Sequence, residues 1–491
     1  MKKVYALATV LTMVLAVGQS AHGQENSGSR SRGRRGEAAS EVAKSSIPSS
    51  FDLRKDSHVT SVKQQAGGTC WAHGSIASIE SNMIMKGVWE ASGQTGVPNL
   101  SEYHLDWWNG FNKFHNSDQA DMDEKVGMTV HQGGDYRVTA AYISRGDGIV
   151  FCADSNDSKG DRVWFREAPE KNNSDYQKYF VRDIEWFVAG PNLENLDKIK
   201  RRIMEEGAVA TCYCSGGRFN SKEHIHYQPA SSRSKPNHSV AIVGWDDTKI
   251  TSDDKKRAPL PGAWLIKNSW GTRRGEDGYM WISYFDKHAC QHIELGAVSF
   301  RNIEPLKYNV FYYHDYHGWR GDVPGVKRAF NSFKATGNHE VQAVNFVTCA
   351  DNVNYVVKIF DRFEDGLLLD ELTSVRGRAD VTGVHTVDLN DAVKFKKDED
   401  FYVYLEVSGG GQAIDRTSEI PVLLGNPGPS GPTVISKANP RESYYHDGSG
   451  WRDLYDYKFD NPEWATFDKT ANFCIKALGV ELPEAKEGDS K

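Results

Sequence analysis

Apolar residues recur at helical spacing directly after a cysteine in the first third of the chain. They are separated by four, three and four positions: Ala72, Ile76, Ile79 and Met83. This spacing predicts a helix with one continuous apolar face. Thr69 is the predicted N-cap and Gly87 the predicted stop signal. The pattern therefore places Cys70 in the first turn of a buried helix.

Strand patterns follow this helix. Short apolar or alternating runs at 238–245, 264–267 and 279–285 are separated by Gly and Asp turns. The segment 246–262 is rich in charge and proline, which predicts a long surface loop. Helical patterns followed by strand patterns over 47–303 predict an α+β domain.

The pattern changes beyond Pro305. Apolar and polar residues alternate in several runs, with apolar positions at Tyr355, Val357, Ile359, Phe401, Val403, Leu405 and Val407. Alternation with Gly, Asp and Asn turns and no good helical window predicts an all-β, sandwich-like domain over 305–482. We expect this domain to have a separate core, so that the preceding domain would survive without it.

Length and charge limit the function. The chain has 491 residues, which suggests two folded domains with tails. It is 39% apolar and 25% charged, with a formal net charge of −7. This is a globular composition, and the charge gives no indication of general nucleic-acid binding.

The chain begins like an exported protein. Lys2 and Lys3 precede an apolar stretch at 4–17 and small residues up to Gly23, which predicts a signal peptide over 1–23. The polar composition of residues 24–46 predicts a disordered linker or short pro-segment, and that of residues 483–491 predicts a polar tail. No other run approaches the ~18 apolar residues of a membrane span. We expect a secreted, periplasmic or extracellular protein.

The seven cysteines suit an oxidising compartment, and their odd number leaves at least one unpaired. Cys349 and Cys474 both lie in the C-terminal half and could pair there. A zinc site is not expected, because no CxxC pair occurs and Cys212 and Cys214 would point to opposite faces of a strand. We predict no metal and no cofactor.

Cys70 has the position of a nucleophile, because a helix N-terminus stabilises a thiolate. Such a thiol needs an imidazole as its base. His224 and His226 form one candidate pair, but HxH alone is a weak signal. His238 precedes an apolar strand, and Asn268 follows the next strand and is close to Trp270. An Asn amide oxygen can fix one imidazole nitrogen and leave the other to face a thiol.

Four motifs in this order resemble the papain-like cysteine peptidases. They are Gln64 with Cys70-Trp71-Ala72, Gln132-Gly133-Gly134, the run NHSVAIVGW from Asn237, and KNSWGT from Lys267 with GEDGY from Gly275. The resemblance covers 47–303. It implies a two-lobed papain-like domain that hydrolyses peptide bonds in protein or peptide substrates without a cofactor.

By the same resemblance, Cys70 is the nucleophile, His238 the base and acid, and Asn268 the orienting residue, with a thiolate–imidazolium pair. Gln64 would donate to the oxyanion beside the Cys70 N–H, and the adjacent Gln65 is a rival for this role. Cleft residues would be Gly133, Gly134 and Trp270.

The sequence also departs from the family. Gly67 and His131 occupy two positions that commonly form a disulfide in the family, so this disulfide is expected to be missing. His73 replaces the usual Phe, which affects local packing. Arg274 replaces a second Trp, so the leaving-group side of the cleft is expected to differ.

The C-terminal half is similar to the lectin-like β domain of some bacterial papain-like peptidases. The similarity rests on YYHDYHGW from Tyr312, SYYHDGSGWRDLYDY from Ser443 and FCIKA from Phe473. It implies either a glycan or cell-surface ligand or a packing role. Our interpretation is an exported cysteine endopeptidase that works through a thioester acyl-enzyme. The alternatives are an exopeptidase, a transpeptidase or a non-catalytic surface-binding protein.

Overall fold

The computed structural model describes residues 47–112, 127–152, 160–216, 218–420, 423, 433–459 and 471–483. All of them fall in one compact unit that begins at Ile47. The signal peptide (1–23) and linker or pro-segment (24–46) predicted above lie outside the described residues, as does the predicted tail apart from Pro483. Within these ranges, no helix is long and apolar enough to cross a membrane.

All six described α-helices lie in the N-terminal half, residues 47–303. They are α1 (Cys70–Met85), α2 (Val88–Ala91), α3 (Glu102–Trp108), α4 (Tyr136–Ser144), α5 (Gly160–Arg166) and α6 (Leu196–Glu206). The predicted first helix is confirmed, and its four periodic apolar side chains are buried. Thr69 precedes it, but its hydroxyl donates to the Ala66 carbonyl (2.9 Å) instead of capping the helix. The chain leaves α1 through Gly87, whose φ of +65° suits glycine.

Ten strands complete the part of the N-terminal half that the structure describes. They are β1 (Ser50–Asp52), β2 (Val150–Phe151), β3 (Gln177–Phe187), β4 (Val209–Tyr213), β5 (Phe219–Asn220), β6 (Ile225–His226), β7 (His238–Asp246), β8 (Ala263–Lys267), β9 (Tyr279–Ser283) and β10 (Ala297–Pro305). Strands β4, β7, β8 and β9 pair antiparallel in that order. Strand β7 is buried from His238 to Trp245 and packs against α1. The predicted 246–262 loop is confirmed between β7 and β8.

The C-terminal half, residues 305–483, contains only strands and one 3-10 helix (Leu454–Asp456) where the structure describes it. The strands are β11 (Val310–Tyr312), β12 (Gly321–Val323), β13 (Arg328–Lys334), β14 (His339–Thr348), β15 (Val353–Glu364), β16 (Leu367–Ala379), β17 (Gly383–Phe395), β18 (Asp400–Val407), β19 (Gln412–Asp415), β20 (Ser418–Glu419), β21 (Thr433–Val434), β22 (Ser443–His446), β23 (Trp451–Asp453), β24 (Asn472–Phe473) and β25 (Ile475–Glu481). One sheet has the order β16-β15-β18-β13-β22-β23. The inward side chains of β15 and β18 join those of β14 and β25 in one core, which confirms the predicted β architecture.

The two halves also share a core and a sheet. Strand β17 pairs antiparallel with β3, with Gly383 opposite Glu185 and Val384 opposite Ile184. Val384 packs in one apolar cluster with α1 and α4. The separate core expected for the C-terminal half is therefore present, but a second core crosses the boundary.

All seven cysteines are free. The suggested pairing of Cys349 with Cys474 is wrong, although both side chains belong to the shared core. No disulfide therefore contributes to the stability of this fold.

Candidate active site

Cys70 is the first residue of α1 and is fully buried. The backbone N–H groups of Cys70, Trp71 and Ser239 donate hydrogen bonds to its thiol. The first two come from the helix N-terminus, as the sequence predicted, and the third comes from the start of β7. Burial outweighs these donors and raises the pKa of the Cys70 thiol to about 12.

His238 begins β7, directly before the residue that donates to Cys70. Its Nε2–H donates to Asn268 Oδ1 at 2.8 Å. Asn268 Oδ1 also accepts from the Ser269 N–H at 2.8 Å, which fixes the amide. Because Nε2 carries the proton, the neutral ring presents a lone pair at Nδ1, and Nδ1 has no hydrogen-bond partner among the described residues. The structure therefore brings together Cys70, His238 and Asn268.

Trp270 covers the imidazole. Its ring stacks on His238 at 4.3 Å between ring centroids and 16° between planes. This shielding accompanies complete burial of His238, and the burial lowers the pKa of the imidazole to about 4. Burial therefore disfavours a lone charge on either Cys70 or His238, and the expected thiolate–imidazolium pair stays a prediction.

The adjacent glutamines have different surroundings. The Gln65 amide donates to the Gly67 carbonyl (2.9 Å) and accepts from the Ser269 hydroxyl (2.6 Å). Gln64 is exposed, its backbone forms a bridge with Trp270, and its amide oxygen lies beside Gly271. Its side chain forms no hydrogen bond with any described residue. Gln65 therefore fixes the loop, and Gln64 is the glutamine with an available amide.

Gly134 packs against Trp71, the residue after Cys70. A Cβ on Gly134 would approach the Trp71 ring to 2.5 Å, so only glycine fits there. Gly133 has a φ of +100°. The Gly134 carbonyl accepts from the N–H of Leu423, a residue of the C-terminal half, at 3.0 Å. The C-terminal half therefore contacts the segment predicted to line the cleft.

Close packing occupies the place of the missing disulfide. The Gly68 N–H donates to the His131 carbonyl at 2.6 Å, and a Cβ on Gly67 would lie 2.9 Å from the His131 Cβ. His131 Nδ1 lies 2.5 Å from a carboxylate oxygen of Asp106. The Gly68–His131 hydrogen bond and the close approach at Gly67 thus join the two segments that a disulfide would join, and the Asp106 contact ties His131 to α3.

A buried charge network behind the site was missed from sequence, because Lys and Glu normally indicate surface positions. Lys63 Nζ lies 2.9 Å from Glu80 and 2.7 Å from Glu102. Glu80 also accepts from Thr60, which accepts from Lys267 Nζ at 2.8 Å. Burial lowers the pKa of Lys267 to about 8. The network therefore ties the loop before Gln64 to α1, α3 and β8.

In the alternative histidine pair, the Tyr213 ring separates His226 from His238, at centroid distances of 5.0 and 5.5 Å. His226 is buried on β6, and its Nε2 is 3.5 Å from Asp286. His224 lies in a turn with a φ of +52°. Within the described ranges, no three His, Cys, Asp or Glu side chains are grouped to hold a metal ion.

Comparison with known proteins relates each half to a family. The model of the family described as papain family cysteine protease matches residues 47–299, and that of the lectin-like domain matches 311–479. Two curated relatives are procathepsin L from Felis catus, 28% identical over 261 residues, and cathepsin L2 from Homo sapiens, 25% identical over 265 residues. These alignments cover 51% and 52% of this chain, and 65% and 67% of the relatives.

Solved structures match both halves together. The clostridial cysteine protease Cwp84 after propeptide cleavage has a TM-score of 0.67 and 22% identity over 88% of this chain and 99% of that chain. A second structure contains the cysteine protease and lectin-like domains of Cwp84, described as a surface layer associated protein of Clostridium difficile. Its TM-score is 0.65 and its identity 21%, over 89% of each chain. These matches establish the two-part fold. Since the papain-family match alone covers more than half of the sequence, the chain belongs to the papain family of cysteine proteases.

Proposed function

We propose that this chain is an exported cysteine endopeptidase that cleaves peptide bonds in proteins or peptides. One observation carries the proposal: Asn268 holds His238 with Nδ1 unprotonated and unpartnered, directly beside the strand residue that donates to Cys70. A nucleophile, a base and an orienting residue in this arrangement form a cysteine-protease triad. Export is proposed from the signal-like sequence of residues 1–23.

Burial determines how the reaction starts. A lone thiolate or a lone imidazolium is disfavoured there, as the pKa values of about 12 and about 4 indicate. Transfer of the Cys70 proton to His238 Nδ1 forms both charges together, so that each stabilises the other. The thiolate sulfur then attacks the peptide carbonyl carbon, and the carbonyl oxygen becomes the oxyanion.

The oxyanion has two proposed donors, the Cys70 N–H and the side-chain amide of Gln64. A donor of this type contributes roughly 3–4 kcal/mol to the transition state. Imidazolium Nδ1–H then protonates the leaving amine as the C–N bond breaks, which leaves a thioester on Cys70. Water, deprotonated by His238, hydrolyses the thioester and restores the thiol.

A direct test compares Cys70→Ala with Cys214→Ala. Cys214 is also a free thiol but is partly exposed and lies outside the proposed triad. Cys70→Ala should abolish cleavage of an internally quenched peptide and keep the wild-type unfolding midpoint within a few degrees. Cys214→Ala should retain activity. Substantial turnover by folded Cys70→Ala would refute the nucleophile assignment and favour the non-catalytic alternative.

The remaining alternatives are separated by their products. An endopeptidase releases internal fragments, whereas an exopeptidase releases residues from one end. A transpeptidase forms a new amide when an amine nucleophile is added. We expect internal cleavage, with hydrolysis as the main fate of the thioester.

A second proposed function is glycan binding by the C-terminal half, which matches the lectin-like family. It is favoured by an aromatic cluster on the outer face of the six-stranded sheet. Phe330 lies at its centre and contacts four partly exposed rings, at centroid distances from 4.7 to 5.8 Å: Phe363, Tyr402, Tyr444 and Trp451. Contiguous apolar surface of this kind marks interaction sites, and rings offer flat faces to sugars. Trp451→Ala should weaken retention on cell-wall polysaccharide, whereas unaltered retention would favour the packing role.

A further inference from the structure

Helix α4 joins the predicted cleft to the boundary between the two halves. It begins after Gly133 and Gly134, with Asp135 as its N-cap residue, and it ends at Ser144. Asp135 Oδ1 accepts from the Val138 N–H at 2.8 Å, which fixes the first turn of the helix. The position of the two glycines, which are predicted to line the cleft, therefore depends on where α4 lies.

A short segment of the C-terminal half, residues 316–320, lies along this helix. The Tyr316 carbonyl accepts from the Arg145 guanidinium at the end of α4. Three side-chain contacts follow one another along the helix: Arg145 over the Tyr316 ring at 4.2 Å, Ala141 beside Gly318, and Arg137 over the Trp319 ring at 4.2 Å. These helical residues are four apart, so the segment follows one face of α4.

The same segment is anchored in the sheets of the C-terminal half. Asp315, directly before it, forms a buried ion pair with Lys476 on β25. The His317 N–H donates to a carboxylate oxygen of Asp415 on β19 at 2.9 Å. Because closely packed interiors transmit displacements, the segment is a stiff connection between these strands and α4.

Arg320 reaches the N-terminal end of α4. Its Nη1 lies 4.0 Å from Asp135 Oδ2, and the two side chains are buried, at 3% and 2% exposure. Its Nε donates to the Ser418 hydroxyl at 3.0 Å and its Nη2 to the Glu419 carbonyl at 3.3 Å. Nη1 has no hydrogen-bond partner among the described residues. The guanidinium is thus held by its own half with one nitrogen left to the N-cap carboxylate.

The Asp135 carboxylate needs this cation because it is almost completely buried. Burial raises the pKa of Asp135, and Arg320 is the strongest influence in the opposite direction. Arg137 opposes the shift less, and its guanidinium lies over Trp319. A buried carboxylate without its cation takes up a proton or moves towards water. Movement of Asp135 would displace Gly134, to which it is joined by a peptide bond.

A second contact from the C-terminal half reaches Gly134 itself. The Leu423 N–H donates to the Gly134 carbonyl at 3.0 Å. The Trp71 ring leaves no room for a side chain on Gly134. The backbone of this residue is therefore held by Trp71 of the peptidase half and by Leu423 of the C-terminal half.

We propose that Arg320 is a positioning residue for peptide cleavage, which holds Asp135 and, through it, the Gly133–Gly134 backbone against which the substrate binds. This inference rests on the proposed peptidase function and adds a residue from the other half to it. Arg320 lies outside the papain-family match, 47–299, and within the lectin-like match, 311–479. The C-terminal half then takes part in substrate binding, a role separate from glycan binding.

The first experiment measures kcat and KM of Arg320→Gln for an internally quenched peptide. KM should rise several-fold with kcat nearly unchanged, because the cleft backbone contacts the substrate before and during the reaction. Both pH limbs of kcat/KM should stay in place, since the triad is not altered. Arg320→Lys keeps the charge without the planar fork and should give an intermediate KM. The matched control is Arg378→Gln at an exposed pair with Asp380, which should keep the wild-type KM.

Asp135→Asn separates this role from general destabilisation. Asn caps a helix as well as Asp does, so this variant keeps the cap and removes the charge that needs a cation. If Arg320 acts through Asp135, Arg320→Gln should raise KM much less in the Asp135→Asn background than in the wild type. An equal rise in both backgrounds would overturn the proposal. If Arg320→Gln does not fold, the same comparison with Arg320→Lys decides the question.

Alkylation of Cys70 gives a readout that does not depend on cleavage. Iodoacetamide needs only the thiol and its base, whereas a peptidyl epoxide also needs the Gly133–Gly134 backbone. Arg320→Gln should slow labelling of Cys70 by the epoxide several-fold and leave the iodoacetamide rate unchanged, both measured by mass spectrometry. Equal slowing of the two reagents, or slowing of neither, would overturn the proposal.

The wild type separates the two claims. If it neither cleaves the peptide in a Cys70-dependent manner nor reacts with the epoxide at Cys70, the proposed function fails. If it does both, and Arg320→Gln matches it in KM and in epoxide labelling, only the positioning role of Arg320 is overturned and the triad stands.

Discussion

Asn268 is the residue whose chemistry can be tested most cleanly. It accepts from His238 Nε2 and does not titrate, so it controls which imidazole nitrogen faces Cys70. Asn268→Ala removes the acceptor and should lower turnover without abolishing it.

The His238 pKa of about 4 places the acid limb of kcat/KM near pH 4, where His238 takes up a proton before Cys70 can supply one.

Asn268→Asp should move both limbs of kcat/KM to higher pH. A carboxylate beside the ring favours imidazolium, so the pKa of His238 rises and protonation begins at higher pH. The pH dependence of kcat/KM measures this shift. Gln64→Ala is the comparison: it should lower kcat while both limbs stay in place, because its amide does not titrate. The opposite pattern would mean that the two roles are exchanged.

The buried charge network acts at the level of the elements. Glu80 on α1 bonds to Lys63 in the loop before Gln64 and accepts from Thr60, which accepts from Lys267 on β8. The charges in this network are buried, so each depends on its partner for compensation. The network holds the loop that leads to Gln64 against the helix that begins with Cys70.

Glu80→Gln should reduce the free energy of unfolding by about 1–3 kcal/mol, because it removes one of the two carboxylates that bond to Lys63 and weakens a buried hydrogen-bond network. Chemical denaturation measures the change. Glu371→Gln is the matched control, since it breaks the more exposed Lys358–Glu371 pair (2.6 Å) and should cost about 1 kcal/mol or less. Similar losses in the two variants would show that the network does not stabilise the fold.

Local pattern was sufficient for the elements that carry the triad. The four-residue and three-residue spacing predicted α1, and the apolar runs predicted β7 and β8. Motif order and the family resemblance then singled out Cys70, His238 and Asn268 as the proposed triad. The Lys63 network was not predictable, because charge gives no periodic signal when it is buried. The β17–β3 pairing joins segments about 200 residues apart, and no local pattern encodes such a partner. The shifts in the pKa values of Cys70 and His238 were not predictable either, because they depend on the extent of burial, which sequence does not give.

At the scale of the whole molecule, the two halves share structural elements. Strand β17 continues the β3 sheet, and Leu423 bonds to Gly134 beside the nucleophile. Contrary to the expectation from sequence, the N-terminal half is therefore not expected to be stable without the C-terminal half. Removal of residues 306–491 would expose the buried faces of Phe180 and Ile184, so this truncation should give aggregated or strongly destabilised protein, measured by size-exclusion chromatography and thermal unfolding. A monomeric truncation with the wild-type midpoint would contradict this reading.

Gly383→Ala tests the β17–β3 junction alone. Gly383 has a φ of +152°, and a Cβ there would lie 2.0 Å from the Ile184 carbonyl oxygen. The substitution should separate the strands locally and cost about 1–3 kcal/mol of unfolding free energy. Gly409→Ala, where the Cβ meets open space, is the control and should be nearly neutral. Equal stability of the two variants would show that the junction tolerates separation.

We propose that the Cys70–His238–Asn268 site activates one thiol among seven. All seven cysteines are free, so each of the other six is an internal control. The decisive measurement is the site and stoichiometry of labelling by a peptide epoxide, mapped by mass spectrometry on the folded protein. We expect one equivalent on Cys70, which is fully buried, in preference to the more exposed Cys214 and Cys349, together with loss of peptidase activity. Labelling that follows exposure, with Cys70 unmodified, would contradict it.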